Sequence, residues 1–155
     1  MDTLDRQILQ ALAADARVPM SQIAKDLGVA NATVHQRYKR MQENGTIRGF
    51  RLKLDFNQVG LPVSAVVSVS LVSDLSLGEM AAKLRTIPFV DSCFSVTGEF
   101  DLLMVVRARS SEHLGVILDE IRLKAQGNTR TLVIMSSHFH SDYRELLGEL
   151  DNSAP

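Results

Sequence analysis

Apolar side chains recur at two different periods along this chain, and the change of period divides it. Over the first 44 residues they fall at helical spacing. Leu4, Ile8, Leu9 and Leu12 make one stripe, with Asp2 or Thr3 standing where an N-cap is needed and Arg17, Val18 and Pro19 closing the segment. Met20 and Ser21 open a second helix that turns Ile23, Ala24 and Leu27 inward. Gly28 breaks it, because glycine takes positive φ at little steric cost. Val29 points back inside, and Val34, Tyr38 and Met41 form the inward stripe of a third helix stopped by Asn44 and Gly45. Ile47, Phe50, Leu52 and Leu54 then interleave with Arg48, Arg51 and Lys53, a strand pattern that reads equally as a short wing or as a connecting strand. Pro62 marks a boundary, since the residue before proline is pushed away from helix.

Beyond residue 62 both periods appear in turn. Residues 63–73 alternate and are rich in valine, as a strand does. Leu77, Met80, Ala81 and Leu84 share one face of a helix over 77–87. Strands over 89–96 and 101–109 are joined by the hairpin residues 97–100, and Leu114, Ile117, Leu118 and Ile121 mark a helix over 111–125. A last apolar strand covers 129–138. The fold class is therefore α+β: an N-terminal helix-turn-helix and a C-terminal ferredoxin-like βαββαβ sandwich with two helices on one face of an antiparallel sheet.

The polar remainder of the third helix carries the first candidate chemistry. Asn31, Thr33, His35, Gln36, Arg37 and Arg40 are left facing outward. Asn and Gln read adenine edges bidentately, and Arg reads guanine or holds phosphate. Arg48 and Arg51 in the following segment are further candidates for phosphate. A net charge of −1 conceals the polarity: residues 1–54 sum to +4 and the rest to −5. Within 31–54, six basic side chains face only Glu43, the footprint a phosphate backbone needs.

Other chemistry is thinly represented. One cysteine, Cys93, permits no intramolecular disulfide and sits in an apolar strand as an expected inert core thiol. No apolar run approaches the roughly 20 residues of a membrane span, and the opening MDTLDRQIL is not a signal peptide, so a cytoplasmic protein without membrane association is expected. His138 and His140 share a strand face, but two ligands make no metal site. Nucleophile elbows and phosphate-cradling loops are absent, so no catalytic residue, metal or cofactor is assigned and an enzyme is not expected.

With "LDRQILQALAADARVPMSQIAKDLGVANATVHQRYKRMQENGTIRGF" and the hairpin "VTGEFDLLMVV" in view, the chain resembles the Lrp/AsnC family, the leucine- and asparagine-responsive type of regulator, over nearly its whole length. The resemblance implies a helix-turn-helix DNA-binding domain over 1–46, a connecting strand or linker over 47–61, and an effector-binding and oligomerisation domain over 62–142. A tail over 143–155 follows, where Tyr143, Leu146, Leu147 and Leu150 place a short docking helix ahead of a frayed end. It further implies a transcription factor that binds double-stranded DNA, forms dimers and then an octamer as a tetramer of dimers, and takes small effectors, usually amino acids, between subunits. The hairpin Gly98, Glu99, Phe100 and Asp101 then borders the effector pocket, with Ser136 and Ser137 as weaker lining. Three departures stand out: Ala30 where the family has Ser or Thr at the cap, leaving Asn31 to cap; Gln126-Gly127-Asn128 in place of Pro-Gly-Val; and the C-terminal helix.

An amino-acid effector needs an acid for its ammonium and donors for its carboxylate. Asp101 fits the first role and hairpin amides at Gly98 the second, although Asp101 equally reads as a solvated hairpin end. Two other functions fit the same plan: an architectural protein that wraps DNA without effector control, and an enzyme like the sirohaem decarboxylases, for which tetrapyrrole-binding residues are not visible.

Overall fold

The computed structural model describes residues 1–72, 75–138 and 143–152. Ser73 of the expected first strand, His140 of the histidine pair, the Leu150 side chain and residues 153–155 lie outside the described residues. The chain forms two compact units, Met1–Leu52 with the segment from His138 onward, and Lys53–Ser137.

In the first unit, α1 (Thr3–Ala14) is capped by Asp2, whose carboxylate accepts from the Asp5 N–H while Asp5 accepts from the Asp2 N–H. This reciprocal box satisfies two of the orphan donors at the helix start. Helices α2 (Met20–Asp26) and α3 (Asn31–Glu43) are joined through Gly28 at φ +66°, and the Val29 N–H donates back to Ala24 O at 3.0 Å. Ile8, Leu12, Ile23, Ala24, Val34 and Met41 make the buried core, with Tyr38, Leu27, Val29 and Ile47 packed against it. Ala30 holds the N-cap position of α3 in extended backbone and offers no side-chain bond. Asn31 is already the first helical residue, so the expected cap by Asn31 is not formed; a cap must precede the helix in non-helical backbone.

Residues 47–55 make no strand among the described residues, and Phe50, Leu52 and Leu54 are exposed. A strand exists only through its ladder, and among the described residues this segment has no partner strand. The tail forms α6 (Tyr143–Asn152), which packs against α1 in the same unit.

The second unit is a four-stranded antiparallel sheet of order β2-β3-β1-β4, from β1 (Val63–Ser70), β2 (Val90–Ser95), β3 (Leu102–Ala108) and β4 (Asn128–Val133). Helices α4 (Leu77–Leu84) and α5 (Ser111–Ala125) cover one face. There Ala65, Val67, Val69, Leu102, Met104 and Val106 pack against Met80, Leu84, Ile117 and Ile121. The alternation of β3 places Leu103, Val105 and Arg107 on the opposite face, with Phe94 and Leu132 exposed beside them. Arg107 is held on this face by the Ser64 hydroxyl at 2.6 Å and by Phe56, whose ring centre lies 4.0 Å from the guanidinium carbon.

β4 ends at Val133 rather than at the expected residue 138. β1 begins at Val63, so after the Ile134 N–H donates to Ser64 O the ladder has run out.

Candidate functional site

Among the outward residues of α3, Asn31, His35 and Gln36 are exposed and Thr33 is half-buried. They project from a helix held from beneath by Val34 and Met41, which are 0% and 2% exposed. Such a rigid base fixes where their hydrogen-bonding groups point.

Arg37 and Arg40 do not stand free in solvent. Arg37 Nη1 donates to the Asp2 carboxylate and, at 3.1 Å, to Asp5; Arg40 Nη2 donates to Asp5 at 2.7 Å. Asp5 is 2% exposed. The guanidinium of Arg37 holds the Asp2 carboxyl at about 2, below its ordinary 3.8, with the Asp5 N–H assisting. Conversely, Asp2 and Asp5 raise the pKa of Arg37. Lys39 lies 3.7 Å from Glu43 one turn on, so every cation of α3 has an acid beside it. Arg48 and Arg51 differ: both are exposed and neither has an ion pair among the described residues.

At the C-terminal end of β1 the expected effector residues take definite places. Asp101 is pinned three ways. Its N–H donates to Val69 O at 3.0 Å, its carbonyl accepts from the Val96 N–H at 3.0 Å, and its carboxylate accepts from the Leu71 N–H at 2.8 Å. Glu99 presents its carbonyl to the Ser70 hydroxyl at 3.1 Å, Gly98 is exposed at φ +121°, and Phe100 is half-buried. Gly127 closes the same end, since a Cβ there would sit 2.3 Å from Ser70 O. Asp101 is therefore no loose hairpin charge: its carboxylate terminates β1 by satisfying a backbone donor.

Ser136 and Ser137 are exposed but do not join this cluster within one chain. They follow Ile134, which bonds Ser64, whereas the hairpin meets β1 at Ser70. Six residues of strand separate those points, about 20 Å at a rise of about 3.4 Å per residue. The sequence places both segments at strand ends, but only the register shows that the ends are opposite.

His138 is exposed, and no group of three potential ligands from His, Cys, Asp and Glu occurs among the described residues. Cys93 is half-buried, and burial pushes its thiol up. No helix of the described residues is long and apolar enough to cross a membrane.

Three contributors escape a reading of side-chain patterns. Asp5 had a signal: one turn before Ile8 and Leu9, it is a charge on the inward face of an apolar helix, which calls for a buried partner. The Leu71 amide and the Ser70 carbonyl are backbone groups and carry none.

The chain matches the AsnC-type helix-turn-helix domain over residues 1–42 and the Lrp/AsnC ligand binding domain over residues 64–143. It is 31% identical over 146 residues to the HTH-type transcriptional regulator LrpA of Mycobacterium tuberculosis, covering 94% of this chain and 97% of that protein. Escherichia coli AsnC superposes with a TM-score of 0.84 at 29% identity, over 93% of this chain and 98% of that one. A feast or famine regulatory protein from Mycobacterium tuberculosis, solved in complex with L-methionine, gives 0.84 at 30% identity, over 90% and 95%.

Proposed function

Because the chain belongs to the Lrp/AsnC family of transcriptional regulators, we propose that it binds specific double-stranded DNA through α3 and that a small effector, an amino acid, tunes that binding. The observation that carries this reading is the exposed row Asn31, His35 and Gln36 on an α3 seated on buried Val34 and Met41, followed in sequence by Arg48 and Arg51, which make no ion pair among the described residues. Hydrogen-bonding side chains on the helix supply base readout, and these two arginines supply phosphate affinity. Thr33, Arg37 and Arg40 complete the proposed DNA-facing set.

The effector site is proposed at the end of β1, where Gly98, Glu99, Phe100 and Asp101 meet Leu71 and Gly127. An amino-acid ligand is supported by the L-methionine complex of a 30% identical relative. Asp101 retains carboxylate lone pairs for an ammonium beyond the one used by Leu71. Ser136 and Ser137 enter such a site only from a second subunit, given their position at the other end of the sheet. The exposed Phe94 and Leu132 on the sheet face opposite the helices support a dimer, and an octamer of four such dimers extends the same reading.

The test is quantitative footprinting on DNA from upstream of the protein's own gene, with Gln36→Ala and Arg51→Ala beside the parent. Protection of a defined site is expected, its sequence preference relaxed by Gln36→Ala and its overall affinity lowered across all sequences by Arg51→Ala. No protected site at low salt, in the parent protein, would overturn the reading.

A further inference from the structure

The distribution of charge partners across the first unit is uneven in a way that matters for DNA recognition. All three cations of α3 are matched: Arg37 to Asp2 and Asp5, Arg40 to Asp5, and Lys39 to Glu43. Asp5 anchors the group from inside, at 2% exposure, and also accepts from the Asp2 N–H at 3.2 Å. Arg40 emerges from it with 54% of its side chain exposed, Arg37 with 27%. Each guanidinium has five N–H donors in a planar fork, and the contacts to the acids employ one nitrogen of each. The remaining edges are oriented by a carboxylate that is itself immobile, because Asp5 is part of the capping box of α1.

We propose that Asp5, supported by Asp2, is a positioning residue for DNA discrimination: it fixes the Arg37 and Arg40 guanidinium groups in one presentation and withholds their charge from indiscriminate phosphate contact. The proposal rests on the DNA-binding reading above. Free arginines on a groove-facing helix would raise affinity for any phosphate backbone, since that term ignores sequence. Held at one terminal nitrogen each by a buried acid, the same arginines offer their remaining N–H groups only to acceptors that lie where the docked helix requires them. Carboxylates beside them also offset the charge that would attract non-cognate DNA. Recognition then falls to geometry, shared with His35 and Gln36, while uncommitted phosphate attraction is left to Arg48 and Arg51.

Asp5→Asn and Asp2→Asn in the full chain test this, with fluorescence anisotropy on the footprinted upstream site and on a scrambled duplex of equal composition, across a salt series. The expected result for Asp5→Asn is tighter binding to scrambled DNA and a steeper salt slope, by about one to two, as each released arginine finds a phosphate. Its preference for the upstream site should fall on the order of tenfold, the discrimination of about one base contact. Of the α3 cations Asp2 pairs with Arg37 alone, so Asp2→Asn should steepen the slope by about one. If Asp5→Asn does not fold, Asp2→Asn decides alone, because Asp2 is 52% exposed and outside the core. Affinity for both duplexes falling together in folded variants would mark a merely structural role and overturn the proposal. Unchanged preference and slope in both variants would overturn it as well. A parent protein that prefers neither duplex would overturn the DNA-binding reading itself.

Discussion

Replacing Asp101 separates its backbone role from its proposed ligand role. The carboxylate accepts the Leu71 N–H at 2.8 Å at the end of β1, a partly buried, charge-assisted bond. Such bonds contribute about 1.5–3 kcal/mol, and an abandoned donor costs about 1–3 kcal/mol. Leu71 is only half-buried, so water reaches part of the site and the lower half of that range, about 1–2 kcal/mol, is expected for Asp101→Ala. For a domain pair of this size that lowers Tm by about 2–8 °C. Asp101→Asn keeps an oxygen acceptor for Leu71 and should cost less than about 1 kcal/mol, but it lacks the charge that an effector ammonium needs. A tenfold loss of effector affinity corresponds to about 1.4 kcal/mol. At an amino-acid concentration near 100 times the parent Kd, ligand stabilisation should drop from about 2.7 to about 1.4 kcal/mol in Asp101→Asn. Thermal unfolding with and without the amino acid reads both quantities. An Asp101→Ala melting curve that overlays the parent would refute the Leu71 clasp. Equal effector stabilisation in Asp101→Asn and parent would remove Asp101 from the site.

Gly127→Ala places a Cβ 2.3 Å from the Ser70 carbonyl oxygen, one residue before Asn128 pairs with Ser70 in the β1–β4 ladder, and should destabilise by about 1–3 kcal/mol or more. Gly115→Ala, mid-α5 with nothing within 4 Å, should instead stabilise by about 0.5–1 kcal/mol; opposite signs in urea denaturation at one protein concentration check the pair. The Asp2 carboxyl is lowered from 3.8 to about 2, so its contribution is full above pH 4 and disappears as pH falls toward 2. The Tm gap between the parent and Asp2→Asn should therefore narrow over that window; a gap independent of pH would contradict the Arg37 contact. Leu132→Lys, on the sheet face opposite the helices, should shift sedimentation toward monomer while leaving the unit folded; an unchanged assembly would place the interface elsewhere.

Much of this fold is legible in the sequence because its elements obey local rules. The apolar period changes sharply after residue 62, Gly28 and Gly45 carry the positive φ their turns require, and α5 spans the residues its periodicity marks. The misreadings arise where structure depends on what lies opposite. Residues 47–54 alternate as a strand does, yet alternation cannot supply a ladder partner. Apolar residues carry the β4 pattern past Val133, but β1 supplies no backbone beyond Val63 to pair with it. Asn31 has the chemistry of a cap and stands one residue too late. At the candidate sites, residue types were readable and partners were not. Arg37 and Arg40 show as outward positions on a helical wheel, which cannot reveal that Asp5 on another helix reaches them. The grouping of Asp101 with Leu71 and Gly127, and the distance of Ser136 from them, follow from sheet register alone.

Coupling between effector binding and DNA binding is read directly by one measurement: the Kd for the upstream DNA site with and without a saturating amino-acid pool, at fixed salt. The expected result is a shift of about 5- to 150-fold, with the pool component responsible showing the same factor in its own affinity when DNA is added, as linkage requires. DNA affinity that is tight and salt-sensitive yet indifferent to every amino acid would contradict the amino-acid effector reading and leave an architectural role or an effector of another class.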